Sequence, residues 1–239
     1  MILYGIPLIL MSIAFPITGV VLTNLLGLNI MVSYKQNRIG QVKKYNEYLF
    51  TIIFFNCLSW MLYGIVTRDA LIYLSCVTSL FFDFGFIQLL YKHAELNTIF
   101  HLEILSGTFA LYFITIVYLI NFTQISLKTL LPVIGTVSML SSITTNFSPL
   151  IIINQVIKTK SNELIYLPQA SFGCVNLSCW LAYGFLLNDI YQIITNSLGL
   201  IMCVIQLIVY FIYNENKLKP TNKVSPDSLV QPTQQKNPI

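Results

Sequence analysis

Asn56-Cys57-Leu58-Ser59-Trp60-Met61-Leu62-Tyr63-Gly64, with Asp69 shortly after, returns 120 residues later as Asn176-Leu177-Ser178-Cys179-Trp180-Leu181-Ala182-Tyr183-Gly184 with Asp189. Asn, Trp, Tyr, Gly and Asp coincide at one offset, so the chain carries an internal repeat. Both copies lie in long stretches without charge. No Asp, Glu, Lys or Arg falls in 1–34, 48–67, 104–127, 129–157, 164–188 or 190–214, and each stretch reaches the roughly 20 residues that cross a bilayer. Hydrophobic residues make up 56% of the 239 and charged ones 9%, where a soluble domain carries about a quarter charged. The chain is therefore read as an integral membrane protein.

Seven spans fit: span 1 within Met1–Tyr34, then about Tyr48–Thr67, Ala70–Tyr91, Glu103–Ile120, Thr129–Ile157, Leu164–Leu187 and Ile190–Tyr213. Only Arg68 and Asp69 separate spans 2 and 3. Met1–Tyr34 has no basic leader and no small-residue cleavage site, so span 1 is expected to stay in the mature protein. The repeat groups the spans as three, a linking fourth, and three more. An odd linker gives both triples the same orientation, an all-α architecture of two parallel three-helix bundles (3+1+3). The expected units are a first repeat over 1–92, linker helix 4 over 93–127, a second repeat over 128–213, and a polar, proline-bearing tail over 214–239 that reads as disordered and cytosolic.

Eleven of the thirteen Lys and Arg fall in the 1–2, 3–4 and 5–6 loops and the tail, against Arg68 and Lys128 on the other side. That places the N-terminus outside and the C-terminus in the cytosol. Because these basic residues sit in short turns beside apolar runs, the net charge of +4 is a topology signal and implies no nucleic-acid partner. Asn121-Phe-Thr is a formal glycosylation sequon, set too close to span 4 to be modified. Cys57, Cys76, Cys174, Cys179 and Cys203 all lie in apolar stretches without CxxC spacing and read as buried thiols, with no disulfide framework and no metal site.

Asn56-Cys57-Leu58-Ser59-Trp60-Met61-Leu62-Tyr63-Gly64 resembles the second span of SWEET (MtN3/saliva) sugar transporters. The second half is closer still: Ser148-Pro149-Leu150, Val156-Ile157-Lys158-Thr159-Lys160-Ser161, Trp180-Leu181-Ala182-Tyr183-Gly184, Asp189, Thr195-Asn196-Ser197-Leu198-Gly199 and Gln206-Leu207-Ile208-Val209-Tyr210 match that family's signatures in order. The resemblance runs from about Pro16 to Tyr213. It implies a substrate pair at Asn196 and, counting from Trp60, at Cys76; an offset of 118 would put Thr78 opposite Asn196 instead. It also implies an extracellular gate closed by a Tyr63–Asp189 hydrogen bond, and a cytosolic hinge at Pro149 and Pro168. The first half departs from it, with Asn29 and Leu49 at the equivalent proline places.

The residues fit a carbohydrate site, with packed core aromatics as the plainer alternative for Trp60 and Trp180. Sugars present apolar faces and many hydroxyls, so they fit aromatic surfaces with a few hydrogen-bonding groups. Asn56, Trp60 and Tyr63 fall at i, i+4 and i+7 on one helix face, as do Asn176, Trp180 and Tyr183. Trp60 and Trp180 lie eight and nine residues from their turn ends, roughly 12–14 Å deep and near the bilayer middle. Asn56 and Asn176 are read as interhelical glue, and Asp189 stands equally as a helix N-terminal acid. Asp83, among Phe81, Phe82, Phe84 and Phe86, is the one ionisable residue deep in a span; a packing-seam acid is favoured over a proton-coupling carboxyl. His93 and His101 read as solvated residues flanking the 3–4 loop.

The leading expectation is a passive sugar carrier, with Trp60, Cys76, Trp180 and Asn196 at the substrate, hexose ahead of sucrose, and no enzyme activity or cofactor. A PQ-loop type transporter for amino acids or organic acids, prompted by Pro168-Gln169 and proton-coupled through Asp83, is the alternative. A seven-helix receptor or retinal protein ranks below both, since span 7 has no lysine. The expected partners are a small-molecule sugar and the lipid bilayer, with a homo-oligomer left open; the plasma membrane is the first location, the Golgi or another endomembrane the alternative.

Overall fold

A computed structural model describes residues 2–35, 47–91 and 96–214. The described elements are α1 (Ile2–Lys35), α2 (Glu47–Thr67), α3 (Ala70–Tyr91), α4 (Leu96–Phe122), α5 (Leu127–Asn146), α6 (Pro149–Thr159), a 3-10 turn (Asn162–Leu164), α7 (Leu167–Leu187) and α8 (Ile190–Asn214). Among the described residues, Leu96–Phe122, Leu127–Thr159, Leu167–Leu187 and Ile190–Asn214 are each long and apolar enough to cross a membrane, and shorter apolar helical stretches lie in α1, α2 and α3. Side chains such as Phe81, Leu111, Ile114 and Phe122 stand 66–77% exposed, as befits a surface solvated by lipid. The tail, the 36–46 loop, Lys92 and His93 lie outside the described residues; His101 is exposed on α4.

Helix contacts close a ring. Within the first triple α3 packs on both α1 and α2; within the second, α8 packs on both α5 and α7. The triples then join through α1 against α7 and α2 against α5. Each joint thus pairs the first helix of one repeat with the second helix of the other, as a pseudo-twofold relation requires. Apart from its contact with α2, α4 stands outside the ring as the linker. Two seams carry polar pins: Asn24 Nδ2 donates to Thr78 Oγ1 (3.0 Å, α1 to α3), and Asn146 Nδ2 donates to the Thr195 carbonyl (3.1 Å, α5 to α8).

Three expected boundaries change. Span 5, expected as one helix over Thr129–Ile157, bends at Phe147-Ser148. Pro149 has no N–H for the Thr145 carbonyl, and Ser148 N donates to it instead (3.1 Å); Leu150 and Ile151 likewise bond three residues back, to Phe147 and Ser148. Span 6 starts at Leu167, not Leu164, because Asn162–Leu164 is a 3-10 turn pinned by Asn162 Nδ2 to Asn214 Oδ1 (3.1 Å). Span 4 starts at Leu96, not Glu103: His101 and Glu103 lie on an exposed face, so the helix extends past its polar residues without burying them.

Candidate functional site

The repeat is clearest where each triple turns. Arg68 (φ 60°) ends α2 and Asn188 (φ 53°) ends α7 in the left-handed conformation, and the next residue, Asp69 or Asp189, starts the following helix. Asp69 N donates to the Gly64 carbonyl (2.8 Å) and Asp189 N to that of Gly184 (2.9 Å). The approach is so close that a Cβ on Gly64 would lie 2.9 Å from Tyr73 N. Asp69 Oδ1 accepts from Leu71 N and Ile72 N (3.0 and 3.1 Å), and Asp189 Oδ1 from Tyr191 N and Gln192 N (3.0 and 3.3 Å). Each acid therefore caps the helix it opens.

The second oxygen of each acid reaches across the ring. Tyr63 OH donates to Asp189 Oδ2 at 3.0 Å, and Tyr183 OH donates to Asp69 Oδ2 at 2.7 Å. Both tyrosines are buried. The hydrogen bond expected between Tyr63 and Asp189 is therefore present, and Asp189 also caps its helix through its other oxygen. The reciprocal Tyr183–Asp69 latch was not among the expected gate residues, although the repeat that pairs Tyr63 with Tyr183 and Asp69 with Asp189 already contains it.

These latches divide two spaces. On the turn side, a vestibule of about 660 Å³ is lined by Tyr63, Arg68, Asp69, Tyr183, Asp189 and Tyr191. On the other side, within the ring, lies a cavity of about 330 Å³. Trp60, Cys76, Trp180 and Asn196 all line the cavity, so the structure brings the four expected substrate residues together. Thr78 is turned into the α1 seam by its bond with Asn24, whereas Cys76 lines the cavity with Asn196, as do Ser75, Ser79 and Asp83 of α3. Asn196 Nδ2 donates to the Gln192 carbonyl (2.8 Å). Pro149 stands at the α5–α6 bend; Pro168, in the first turn of α7, bends no helix.

The two tryptophans are held differently. Trp60 Nε1 donates to Ser142 Oγ (2.7 Å), and Ser142 in turn donates to Asn56 Oδ1 (2.7 Å), which also accepts from Ser141 Oγ (2.8 Å). Trp180 lies against Gly19, where a Cβ would stand 2.6 Å from its Nε1, so α1 must lack a side chain there for the ring to fit. Asn56 links α2 to α5, and Asn176 links α7 to α1 by accepting from Thr23 Oγ1 (3.2 Å). Sequence reasoning missed Thr23, Asn146 and Thr195 on the cavity wall. Thr23 and Asn146 face Ile143 and Leu26 at the 120 offset, so the repeat gives no signal for them. Asp83 also lines the cavity, beyond the packing-seam place expected for it.

A family model described as "Sugar efflux transporter for intercellular exchange" matches residues 132–218. The chain is 28% identical over 185 residues to the bidirectional sugar transporter SWEET10 of Arabidopsis thaliana, covering 75% of this chain and 61% of that relative. It is 38% identical over 87 residues to SWEET3a of Oryza sativa subsp. japonica, covering 36% of this chain and 35% of that one. The matched stretches thus span less than two thirds of these relatives. A solved structure of a eukaryotic SWEET transporter superposes with a TM-score of 0.72 at 24% identity, covering 87% of this chain and 98% of that one. The chain is similar to SWEET (MtN3/saliva) proteins in each of these comparisons. The match to the SWEET structure takes in most of the chain, which agrees with the 3+1+3 ring, while the family model falls on the second half alone. That asymmetry follows the sequence, because the SWEET signatures are densest between Ser148 and Tyr210.

Proposed function

We propose that the chain is a facilitative sugar carrier, moving a monosaccharide down its gradient by alternating access between its two three-helix bundles. The observation that carries this reading is the cavity walled by Trp60 and Trp180 and separated from the turn-side vestibule by the two tyrosine–aspartate latches. Indole faces take the apolar faces of a sugar ring, and Asn196 with Cys76 supplies hydrogen-bonding groups at mid-depth. Two bulky indoles beside one cavity favour a hexose over sucrose. The turn end is the outer end in this reading, with the N-terminus outside and the plasma membrane as the location. The curated relatives named above as bidirectional sugar transporters support the substrate class.

The test is uptake of a panel of radiolabelled sugars and cationic amino acids into liposomes holding the purified protein. Hexose uptake is expected, and Trp180→Ala and Asn196→Ala should each abolish most of it while the purified variants remain folded. Wild-type uptake by both variants would remove them from the site. Asp83 on the cavity wall supports the second reading, a carrier of charged solutes; uptake of a cationic amino acid with no sugar uptake would establish that one instead.

A further inference from the structure

We propose that Cys57 and Cys76 form a dithiol site in the cavity wall, closed by trivalent arsenicals, reagents that take two sulfurs at once. Both residues line the cavity, from α2 and α3 respectively, and both thiols are free. Cys57 Sγ donates to the Cys76 carbonyl at 3.3 Å, which holds the Cys57 thiol against the residue that carries the second one. Ser75 Oγ lies 3.9 Å from Cys76 Sγ on the same wall. Exposures of 9% and 7% leave the pair shielded from the bilayer and approached from the cavity. Two thiols on contacting residues of one cavity wall bind the second arm of a two-armed reagent at an effective concentration far above that of free thiol.

With an aryl arsenoxide the step is a condensation without redox change. The arsenic–oxygen bond breaks, two arsenic–sulfur bonds form, and the oxygen leaves with both thiol protons as one water. Arsenic stays trivalent. The product ties α2 to α3 inside one bundle and places an aryl group in the cavity. Two further free cysteines, Cys174 of α7 and Cys203 of α8, lie on helices that pack together, but neither is among the described residues of the cavity wall. Removing those cysteines therefore confines any dithiol chemistry to the cavity.

The experiment uses full-length protein carrying Cys174→Ser, Cys179→Ser and Cys203→Ser, treated with phenylarsine oxide and read by intact mass and free-thiol count. Neither readout depends on transport, so failure here is distinct from failure of the sugar-carrier reading. The expected result is one phenylarsine oxide less one water per chain, loss of both remaining thiols, and release by 2,3-dimercaptopropanol but not by a monothiol at equal thiol concentration. Adding Cys57→Ser or Cys76→Ser should each abolish the stable adduct while the other thiol still reacts with a maleimide, which shows that it remains open to reagent, and an unchanged melting temperature in detergent shows that the variant is folded. No adduct, an adduct that persists in either single-thiol variant, or release by the monothiol would overturn the proposal.

Discussion

Asp69 and Asp189 divide their oxygens between two tasks, one capping a helix and the other holding a tyrosine across the ring. Removing a tyrosine hydroxyl tests the latch alone, because the cap stays. A hydrogen bond to a charged group contributes about 1.5–3 kcal/mol, roughly ten- to a hundredfold in an equilibrium. Tyr63→Phe and Tyr183→Phe should therefore each raise the rate at which an impermeant thiol reagent, applied from the turn side, reaches Cys76 by about tenfold or more, and the double variant further. Wild-type rates in both would mean that these bonds do not hold the gate. The adjoining turn yields an independent prediction. Arg68 sits at φ 60° where the second repeat has Asn188, and a left-handed backbone costs an ordinary residue about 1–2 kcal/mol, less for Asn. Arg68→Asn should raise the melting temperature in detergent, gaining up to about 1 kcal/mol, and Asn188→Arg should lower it. The opposite signs would place the strain elsewhere.

At the scale of elements the two repeats differ most in their first helices. α1 runs unbroken through Asn29, whereas α5 gives way to α6 at Pro149. Pro149→Ala restores the missing N–H and lets the i−4 ladder continue. We expect it to slow sugar exchange severalfold without lowering the melting temperature, because the substitution adds a backbone bond while stiffening the bend. Unchanged exchange would show that the bend is not used in the cycle. The element order was legible in the sequence because charge gaps mark every span but the third, which holds Asp83, and the 120-residue repeat fixes the grouping. The bend was legible as Pro149, but its extent was not: i−3 bonding over Ser148 and Ile151 depends on how the freed carbonyls find donors. The site was half legible for a related reason. Trp60, Trp180 and Asn196 repeat or match a known pattern, whereas Thr23 and Asn146 do not repeat and come to line one cavity, from α1 and α5, only once the ring closes.

For the whole molecule, the ring sets what the cavity can couple to. Two bundles related by a pseudo-twofold can exchange access to one cavity without any ion, provided the latches at one end and the seams at the other do not both open. Proton coupling asks for more: a carboxyl that changes protonation as its exposure changes, with a partner that stabilises its ionised form. Asp83 is the acid on the cavity wall, yet no basic residue lines that wall among the described residues. Its counterpart at the 120 offset is Cys203, which does not line the cavity, so the repeats share no ionisable pair. A group present in one bundle alone, without a cation to meet it, gives the alternating cycle no means of carrying a proton in step with sugar. We therefore expect uptake into liposomes to stop at equal concentrations inside and out, with an inward proton gradient leaving that end point unchanged, and Asp83→Asn to retain it. Accumulation above the outside concentration on acidifying the exterior, abolished by Asp83→Asn, would make the protein a symporter and transfer the driving force from the sugar gradient to that one carboxyl.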